Sequence, residues 1–558
     1  MQITIGDYLI ERLKQVGITE VIGVPGDFNL QWLEQIHEAE GIRFVGTTNE
    51  LNAAYAADGY ARRRGISALL TTYGVGELSA LNGIAGAAAE HVPVISIGGA
   101  PPLYATEYGF HLHHTMADGD FTNMLDSIAP FTEAAVRITP HNAAEEIDRI
   151  IHTALREKRP VHLQLPSDIS YLTIEAELGD FSSAIKPSDS ERLEAAVSDV
   201  LAAFEKAENP LILVDLDADR HGFGPALQEF AEKTGTRYAQ MTTGKAILSE
   251  NSPLFVGTYN GLASSEEVRN TVENADFLLT TTPRFIETNS GSFTTNLPEK
   301  GRVDVGDQHI RIGGVNYLGV TGIEALELLA KRAKKSKDAQ PGARIDRPSP
   351  EQPQAEKPLT QARLWPRMAA FVQEGDVVFG EAGTSNIGVS GHRFPDNTDY
   401  ITSNIWGAIG FTLPATFGSQ LAAPDRRHIL FIGDGSFQLT AQELSTMLRE
   451  DQKPIIVLLN NRGYTIERWI LGMDRDYNDI ANWQYNKLPE IFCPGTSMKS
   501  YSATTEGELE EALTAINESN EGAFLELHLE PEDAPADLQK FGPATAEFDY
   551  GPRGPRNP

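Results

Sequence analysis

Short apolar runs alternate with helical patterns along most of the chain. Over residues 1 to about 180 the runs are "EVIGVPG", "IRFVGTTNE", "ISALLTTYG", "VPVISIGG" and "PVHLQLP", and the polar stretch "SSAIKPSDSE" follows them. Brief apolar runs separated by helix-length segments predict parallel strands covered on both faces. The same style returns between about 190 and 330 in "NPLILVDLD", "FLLTTTP" and "GRVDVGD", and between about 359 and 532 in "DVVFGEAG", "HILFIGDG", "PIIVLLNN" and "AFLELHL". Between the last two blocks, residues 331–358 are charged and proline-rich without apolar periodicity, which predicts a solvated linker. The tail, 533–558, is rich in proline and glycine and predicts a flap or a disordered end. At the other end, "MQITIGDYLIERLKQVG" places Tyr8, Leu9, Leu13 and Val16 on one face of a helix. The pattern therefore predicts an α/β protein of three doubly wound parallel-sheet domains, the first and third alike in size and strand style.

Length agrees with several domains, because 558 residues exceed what one core accommodates. The formal net charge of −32 argues against a nucleic-acid surface and against anionic lipid. Cys493 is the only cysteine, so no disulfide forms within the chain and a reducing, cytoplasmic setting is expected. No basic segment followed by an apolar block opens the chain, so no signal peptide is expected. The most apolar stretch, "GIAGAAAEHVPVISIGGA", is interrupted by Glu90, His91 and Pro93 and falls short of the roughly 18 residues of a membrane span.

The chemistry concentrates in "FIGDGSFQLT". A strand enters a glycine turn and then a helix, an arrangement that commonly holds phosphate on bare backbone N–H groups. A P-loop would supply a lysine there, whereas this turn supplies Asp434. A carboxylate can hold an anion if a divalent metal stands between them, and Mg²⁺ commonly bridges one or two protein oxygens to substrate phosphates. The next strand ends in Asn460–Asn461 with Gly463 just beyond, so an Asn461 amide oxygen and a Gly463 carbonyl would complete the metal set. Either turn alone reads as a simple connection; the pair, each at the end of a predicted buried strand, is the specific signal.

This GDG…NN stretch resembles the thiamine-diphosphate and Mg²⁺ motif of thiamine-dependent enzymes, and implies the thiamine-diphosphate-binding fold with both cofactors. The resemblance assigns Asp434, Asn461 and Gly463 to the metal. It places Gly383, Thr384 and Ser385 of "GEAGTSN", with Gly435, Ser436 and Asn461, at the diphosphate, and Gly407 and Ile409 of "SNIWGAIGFTLPA" beneath the pyrimidine. "IRFVGTTNELNAAYAADGYAR" matches the segment whose glutamate serves the pyrimidine ring nitrogen, here Glu50. On its own Glu50 reads as a first-turn glutamate favoured by the helix dipole.

The resemblance narrows to the 2-keto acid decarboxylases over essentially the whole chain, and is weakest in the linker and tail. "GVPGDFNL", "HLHHTMADGD" and "GYTIERWI" carry its catalytic elements and assign Asp27, His113, His114 and Glu467 beside Glu50. Decarboxylation uses the thiamine ring as electron sink, and a proton must then be delivered to release an aldehyde. Histidines, or carboxyls raised by burial, suit that task near pH 7. "HLHH" by itself reads as a polar loop, and without a cysteine or HExxH partner zinc is not expected there. Where pyruvate-specific members carry threonine and tryptophan, this chain has Ala382 and Asn386; with Ile387, Ile466 and Ile470 these imply a pocket open to aromatic or branched 2-keto acids, with the "FIETNSG" loop approaching from the middle block. The family also implies a homodimer with shared active sites, within a homotetramer. Three rivals stand: a thiamine-dependent carboligase, against which the histidine pair and Glu467 speak; a Rossmann oxidoreductase, for which no GxGxxG follows a strand; and a catalytically silent scaffold, although every catalytic position is filled.

Overall fold

The computed structural model describes residues 1–181, 186–337 and 340–557. Part of the polar stretch (182–185), two linker positions (338–339) and the final residue lie outside the described residues. Three large sheets organise the chain.

The first is six-stranded and parallel, in the order Arg43–Gly46, Glu20–Gly23, Ser67–Thr72, Val94–Ala100, Val161–Pro166, Ala135–Arg137. The last is also six-stranded and parallel, in the order Asp399–Ile401, Val377–Gly380, His428–Gly433, Ile455–Asn460, Ala523–His528, Lys499–Ala503. Numbering the strands of each sheet along the chain gives 2-1-3-4-6-5 in both cases. The likeness in strand style is thus a likeness in topology. In each, the order reverses between the first and third strands, and open α/β sheets gather their ligands outside the carboxyl ends of the strands at such a point.

In the two outer sheets, the strands absent from the apolar pattern, Ala135–Arg137, Asp399–Ile401 and Lys499–Ala503, lie on sheet edges, whereas in the middle sheet the short strand Arg237–Gln240 escaped it from an interior position. An edge strand is open to solvent, so it needs no continuous apolar run. The middle sheet has seven strands, of which Phe255–Thr258, Arg237–Gln240, Pro210–Val214, Phe277–Thr280 and Arg302–Val305 are parallel. It then departs from the all-parallel expectation, because His309–Ile312 and Val315–Leu318 add an antiparallel hairpin. Its two-residue Gly313–Gly314 turn, with Gly313 at φ +56°, is the turn that the right-handed strand twist favours.

Two smaller corrections concern the ends. Gln2–Thr4 pairs with Thr173–Glu175, so the amphipathic helix starts only at Ile5, with the Thr4 hydroxyl capping the Asp7 N–H at 3.1 Å. The tail is a helix, Ala536–Tyr550, neither flap nor disordered. Pro535 precedes its first turn, where a missing N–H costs nothing, and Leu538 and Ala546 are buried along one side. Pro543 in its interior masked that periodicity.

The outer sheets share one core. Helix Glu50–Arg64 lies against helix Thr412–Ala422, and a methyl added at Gly418 would stand 1.7 Å from the Ala56 carbonyl oxygen, one at Gly59 2.0 Å from that of Ala415. Backbone touches backbone, and buried side chains continue the core from Ile22 and Leu69 through Tyr55 and Phe417 to Leu430 and Leu458. Buried acids tie the loops that leave this seam. Glu443 accepts from the Thr48 hydroxyl at 2.7 Å and the Asn52 amide at 2.8 Å. Glu90 accepts from the Ile405 N–H at 2.8 Å. Glu381, at the end of the first strand of the C-terminal sheet, accepts from the Ala382 N–H at 2.9 Å and from the Thr412 hydroxyl at 2.6 Å. Burial pushes the Glu381 carboxyl up to about 7, against those hydrogen bonds, which favour the charged form.

Two predictions follow from this frame. Gly418→Ala should cost at least about 1–3 kcal/mol of stability, because the methyl must force the two backbones apart. Gly179→Ala, where a methyl meets nothing within 4 Å, should leave the calorimetric melting temperature unchanged. Equal melting of the two variants would show that the helices do not touch as described. For Glu381, the native state holds its proton up to about pH 7 while the unfolded chain releases it near the ordinary 4.5. Stability from this group therefore falls as pH rises through that window and stays lower above it. Wild type should lose stability relative to Glu381→Gln between pH 5 and pH 8, and a pH-independent difference in their melts would remove Glu381 as the cause.

Candidate active site

At the reversal point of the C-terminal sheet, the first and third strands each run into a helix N-terminus, Thr384–Ser390 after Gly383 and Asp434–Thr440 after Gly433. Gly383 adopts φ +123° and has nothing within 4 Å where a side chain would stand. The two helix starts leave N–H groups and positive dipole ends facing one crevice, which suits an anion. Thr384, Ser385 and Ser436 are buried beside it. Gly435 is required, since a methyl there would meet the Tyr464 ring at 2.5 Å.

Asp434 is almost wholly buried. Its Oδ1 accepts from the Gly435 N–H at 2.8 Å and its Oδ2 from the Arg462 N–H at 2.6 Å, the latter delivered by a left-handed turn at Arg462, φ +63°. Burial nevertheless raises its carboxyl to about 7. The Asn461 carboxamide oxygen faces Asp434 Oδ1 at 3.1 Å and the Gly463 carbonyl oxygen at 2.8 Å, three acceptors with no hydrogen among them. Turning the amide over would make both contacts hydrogen bonds and let its oxygen accept from Thr465. A divalent cation satisfies the same oxygens without the turn, and octahedral ligands at 2.0–2.1 Å stand about 2.9 Å apart. The donor set and its spacing fit Mg²⁺.

At the matching point of the N-terminal sheet lie Asp27, after the first strand, and, after the third, the turn Tyr73–Gly74 with the start of helix Val75–Ala89. That segment is flanked on two sides. A methyl at Gly74 would lie 2.2 Å from the His114 carbonyl oxygen, and one at Gly76 would lie 3.3 Å from Glu50 Oε1. His113 Nε2 lies 2.9 Å from Asp27 Oδ2, and His114 Nε2 lies 3.9 Å from Asp27 Oδ1. Phe28 stacks on His113 with centroids 5.0 Å apart, and His114 itself sits at φ +60°. Glu50, first residue of its helix behind the Asn49 cap, forms no side-chain hydrogen bond or ion pair among the described residues and stays partly exposed.

The structure thus gathers Asp27, His113 and His114 into one group, and Asp434, Asn461 and Gly463 into another. Among the described residues, no hydrogen bond or ion pair joins the two groups. Ile409, partly exposed, stands on the loop from Gly407 (φ +68°) to Gly410, which the Thr440 hydroxyl fastens by donating to the Gly410 carbonyl at 2.8 Å. The Asn386 side chain is tied to its neighbours: its amide donates to Asn404 Oδ1 at 2.6 Å and its oxygen accepts from the Tyr400 hydroxyl at 2.5 Å. Ala382, Ile387, Ile466 and Ile470 are half-buried.

Glu467 sits on the short helix Thr465–Ile470, and partial burial, reinforced by Asp549, holds its carboxyl above the ordinary range. Asp549 belongs to the tail helix, whose Gly542 packs against the Trp469 backbone. Asn557 then clasps the end of the Glu467 helix, accepting from the Gly472 N–H at 2.8 Å and donating to the Arg468 carbonyl at 2.7 Å. A loop between two middle-sheet strands reaches the tail through Phe293, just past the "FIETNSG" stretch, against Phe548, ring centroids 5.8 Å apart. Glu381, Glu443 and the tail were invisible to motif reading, because their roles lie in contacts with residues far along the chain.

Residues 3–127 match the thiamine pyrophosphate enzyme N-terminal TPP-binding domain, 197–322 its central domain and 381–527 its C-terminal TPP-binding domain. A pyruvate decarboxylase of Kluyveromyces lactis is 41% identical over 98% of this chain and 99% of its own. Pyruvate decarboxylase isozyme 1 of Saccharomyces cerevisiae is 40% identical over 98% and 99%. An alpha-keto-acid decarboxylase of Mycolicibacterium paratuberculosis is 39% identical over 92% and 91%. Among solved structures, the thiamine diphosphate-dependent 4-hydroxybenzoylformate decarboxylase of Rhodococcus jostii RHA1 shares the fold, with a TM-score of 0.78 at 20% identity over 95% of this chain and 100% of the other. With relatives this similar along nearly its whole length, the chain belongs to the thiamine-diphosphate-dependent 2-keto acid decarboxylases and is a carboxy-lyase.

Proposed function

We propose that the enzyme releases CO₂ and an aldehyde from aromatic or branched 2-keto acids, with Mg²⁺ as the metal and pyruvate as a poorer substrate. The observation that carries the metal reading is the trio of facing oxygens from Asp434, Asn461 and Gly463 beside two helix N-termini. These residues would hold Mg²⁺, with Gly383, Thr384, Ser385, Gly435 and Ser436 around the diphosphate. Thiamine diphosphate, when bound there, supplies the electron sink for the pair left behind as CO₂ departs. Glu50, which has no side-chain hydrogen bond or ion pair among the described residues, would exchange a proton with the pyrimidine nitrogen. Ile409 would support the bent cofactor, with the Gly407 carbonyl accepting from its amine. Asp27, His113 and His114 form a relay that holds and passes protons. Glu467, whose carboxyl keeps its proton to higher pH than an ordinary glutamate, would deliver one to the reacting carbon. Ala382 supports the broader substrate choice, with Ile387, Ile466 and Ile470 as pocket walls, whereas Asn386 acts there through Tyr400 and Asn404. The relatives named pyruvate decarboxylases favour the second reading, pyruvate itself.

The assembly is part of the proposal. Val75 and Leu78 beside Glu50, Trp406 and Ile409 on the pyrimidine loop, and Leu439 on the helix after Asp434 are exposed apolar side chains around both halves of the site. A second copy covering them would bring the Glu50 half of one chain to the Asp434 half of the other, and pairs of such dimers would give the homotetramer.

Three measurements test this reading. Incubated with cofactor and each of indolepyruvate, phenylpyruvate, 2-ketoisovalerate and pyruvate, the enzyme should give CO₂ and aldehyde, with higher kcat/KM on the first three. A preference for pyruvate would overturn the substrate assignment, and carboligated products alone would overturn the decarboxylase reading. Asp434→Ala should lose Mg²⁺ and thiamine diphosphate together by calorimetry, whereas Glu50→Gln should retain the diphosphate end yet turn over at least about a hundredfold more slowly. In a co-expression of these two variants, mixed dimers should make about a quarter of all sites intact if sites are shared between chains. No returning activity in the purified mixed dimer would place the whole site within one chain.

A further inference from the structure

Asp27, His113 and His114 are the one group among the described residues in which three His, Cys, Asp or Glu side chains bring ligand atoms within 4.8 Å of one another. The other buried histidine–acid contacts do not resemble it. Glu77, for example, is saturated by His162 Nε2 at 3.0 Å, Gln164 at 2.9 Å and the Gly74 N–H at 2.8 Å, inside a closed core. The Asp27 group is open instead, with side-chain exposures of 59% for His113, 50% for Asp27 and 30% for His114. Its parts are also held in place. Phe28 stacks on the His113 ring, the two imidazoles lie 4.4 Å apart, and His114 is fixed by a left-handed turn whose carbonyl presses on Gly74.

We propose that these three side chains bind a divalent transition metal of the zinc or copper class, at a site distinct from the magnesium set, and that a metal there blocks turnover reversibly. Two imidazoles and one carboxylate with an open fourth position are the ligand set of many zinc centres. Tetrahedral ligands about 2.0–2.1 Å from zinc stand roughly 3.3 Å apart, and here one ligand atom from each of the three side chains already lies within 4.8 Å of the others, with His113 Nε2 2.9 Å from Asp27 Oδ2 and His114 Nε2 3.9 Å from Asp27 Oδ1. Rotation of these exposed side chains would bring the three ligand atoms to that spacing. The two sites sort metals by chemistry. The all-oxygen trio at Asp434 suits a hard cation, while imidazole favours zinc, copper, nickel or cobalt. Asp27 comes from a distant part of the sequence, which is why "HLHH", with no cysteine or HExxH partner beside it, did not lead to zinc being expected. Binding would occupy the lone pairs through which the histidines accept protons, so their relay would stop.

The binding part rests on this geometry alone; the inhibition part rests on the proposed decarboxylation. Holoenzyme saturated with thiamine diphosphate and excess Mg²⁺ would be titrated with Zn²⁺ by calorimetry and with Co²⁺ by visible absorption. One further equivalent per chain is expected, with cobalt bands of a nitrogen-containing low-coordinate site. Asp27→Ala and, independently, His113→Ala should each weaken it at least about tenfold, with circular dichroism melts confirming that the variants are folded. Turnover should fall in step with occupancy and return on chelation followed by Mg²⁺. Equal binding by wild type and variants would assign the metal to the Asp434 set and overturn the proposal, as would undiminished turnover with the site filled. A wild type that releases no CO₂ before zinc is added would instead fail the functional reading, and the binding isotherms would still decide this one.

Discussion

Everything in the molecule hangs on two helices pressed together until their backbones touch. Gly59 and Gly418 allow the contact, since a side chain at either would occupy the space of a carbonyl on the other helix. Close-packed interiors do not absorb an atom at such a place without moving the elements on both sides. Because one helix begins with Glu50 and the other follows the loop bearing Gly407 and Ile409, the seam fixes the spacing between the two sheets and the direction in which both loops leave.

From that seam outward, buried carboxylates position backbone. Glu443 holds the approach to Glu50, Glu90 the approach to Trp406, and Glu381 joins the diphosphate turn to Thr412. Glu381 and Glu90 accept from N–H or hydroxyl donors, which is how a buried charge is made tolerable, whereas Glu443 takes all its donors on one oxygen and leaves the other without a partner. Asp434 differs because other oxygens face it. Burial drives its carboxyl upward, and either a proton or a cation answers that pressure.

The two like sheets divide the chemistry. Both place functional groups at the same reversal of strand order, yet the C-terminal one presents N–H groups and oxygens suited to diphosphate and metal, and the N-terminal one presents titratable groups. Exposed apolar side chains rim both halves, and among the described residues Glu50 forms no side-chain hydrogen bond or ion pair.

How much could be read in advance differs by kind of evidence. Central strands announced themselves as apolar runs because both their faces are buried. That Asp434, Asn461 and Gly463 come together was legible because they lie within two turns at the ends of adjacent strands, where local spacing reports proximity. Edge strands escaped because solvent removes the need for an apolar run, and the antiparallel hairpin because pairing direction is a property of neighbours. The tail helix was hidden by Pro543, and its position over Glu467 depends on Gly542 and Asn557 finding Trp469, Gly472 and Arg468. Asp27 meeting the histidine pair, Asn386 turning to Tyr400 and Asn404, and Glu381 bridging to Thr412 were likewise settled only by folding. By itself, then, the order of residues determined the α/β class, the parallel cores and the chemistry of the two loop sets. Only the tertiary structure decided which distant side chains face one another, because those contacts depend on how the helices cross rather than on any period along the chain.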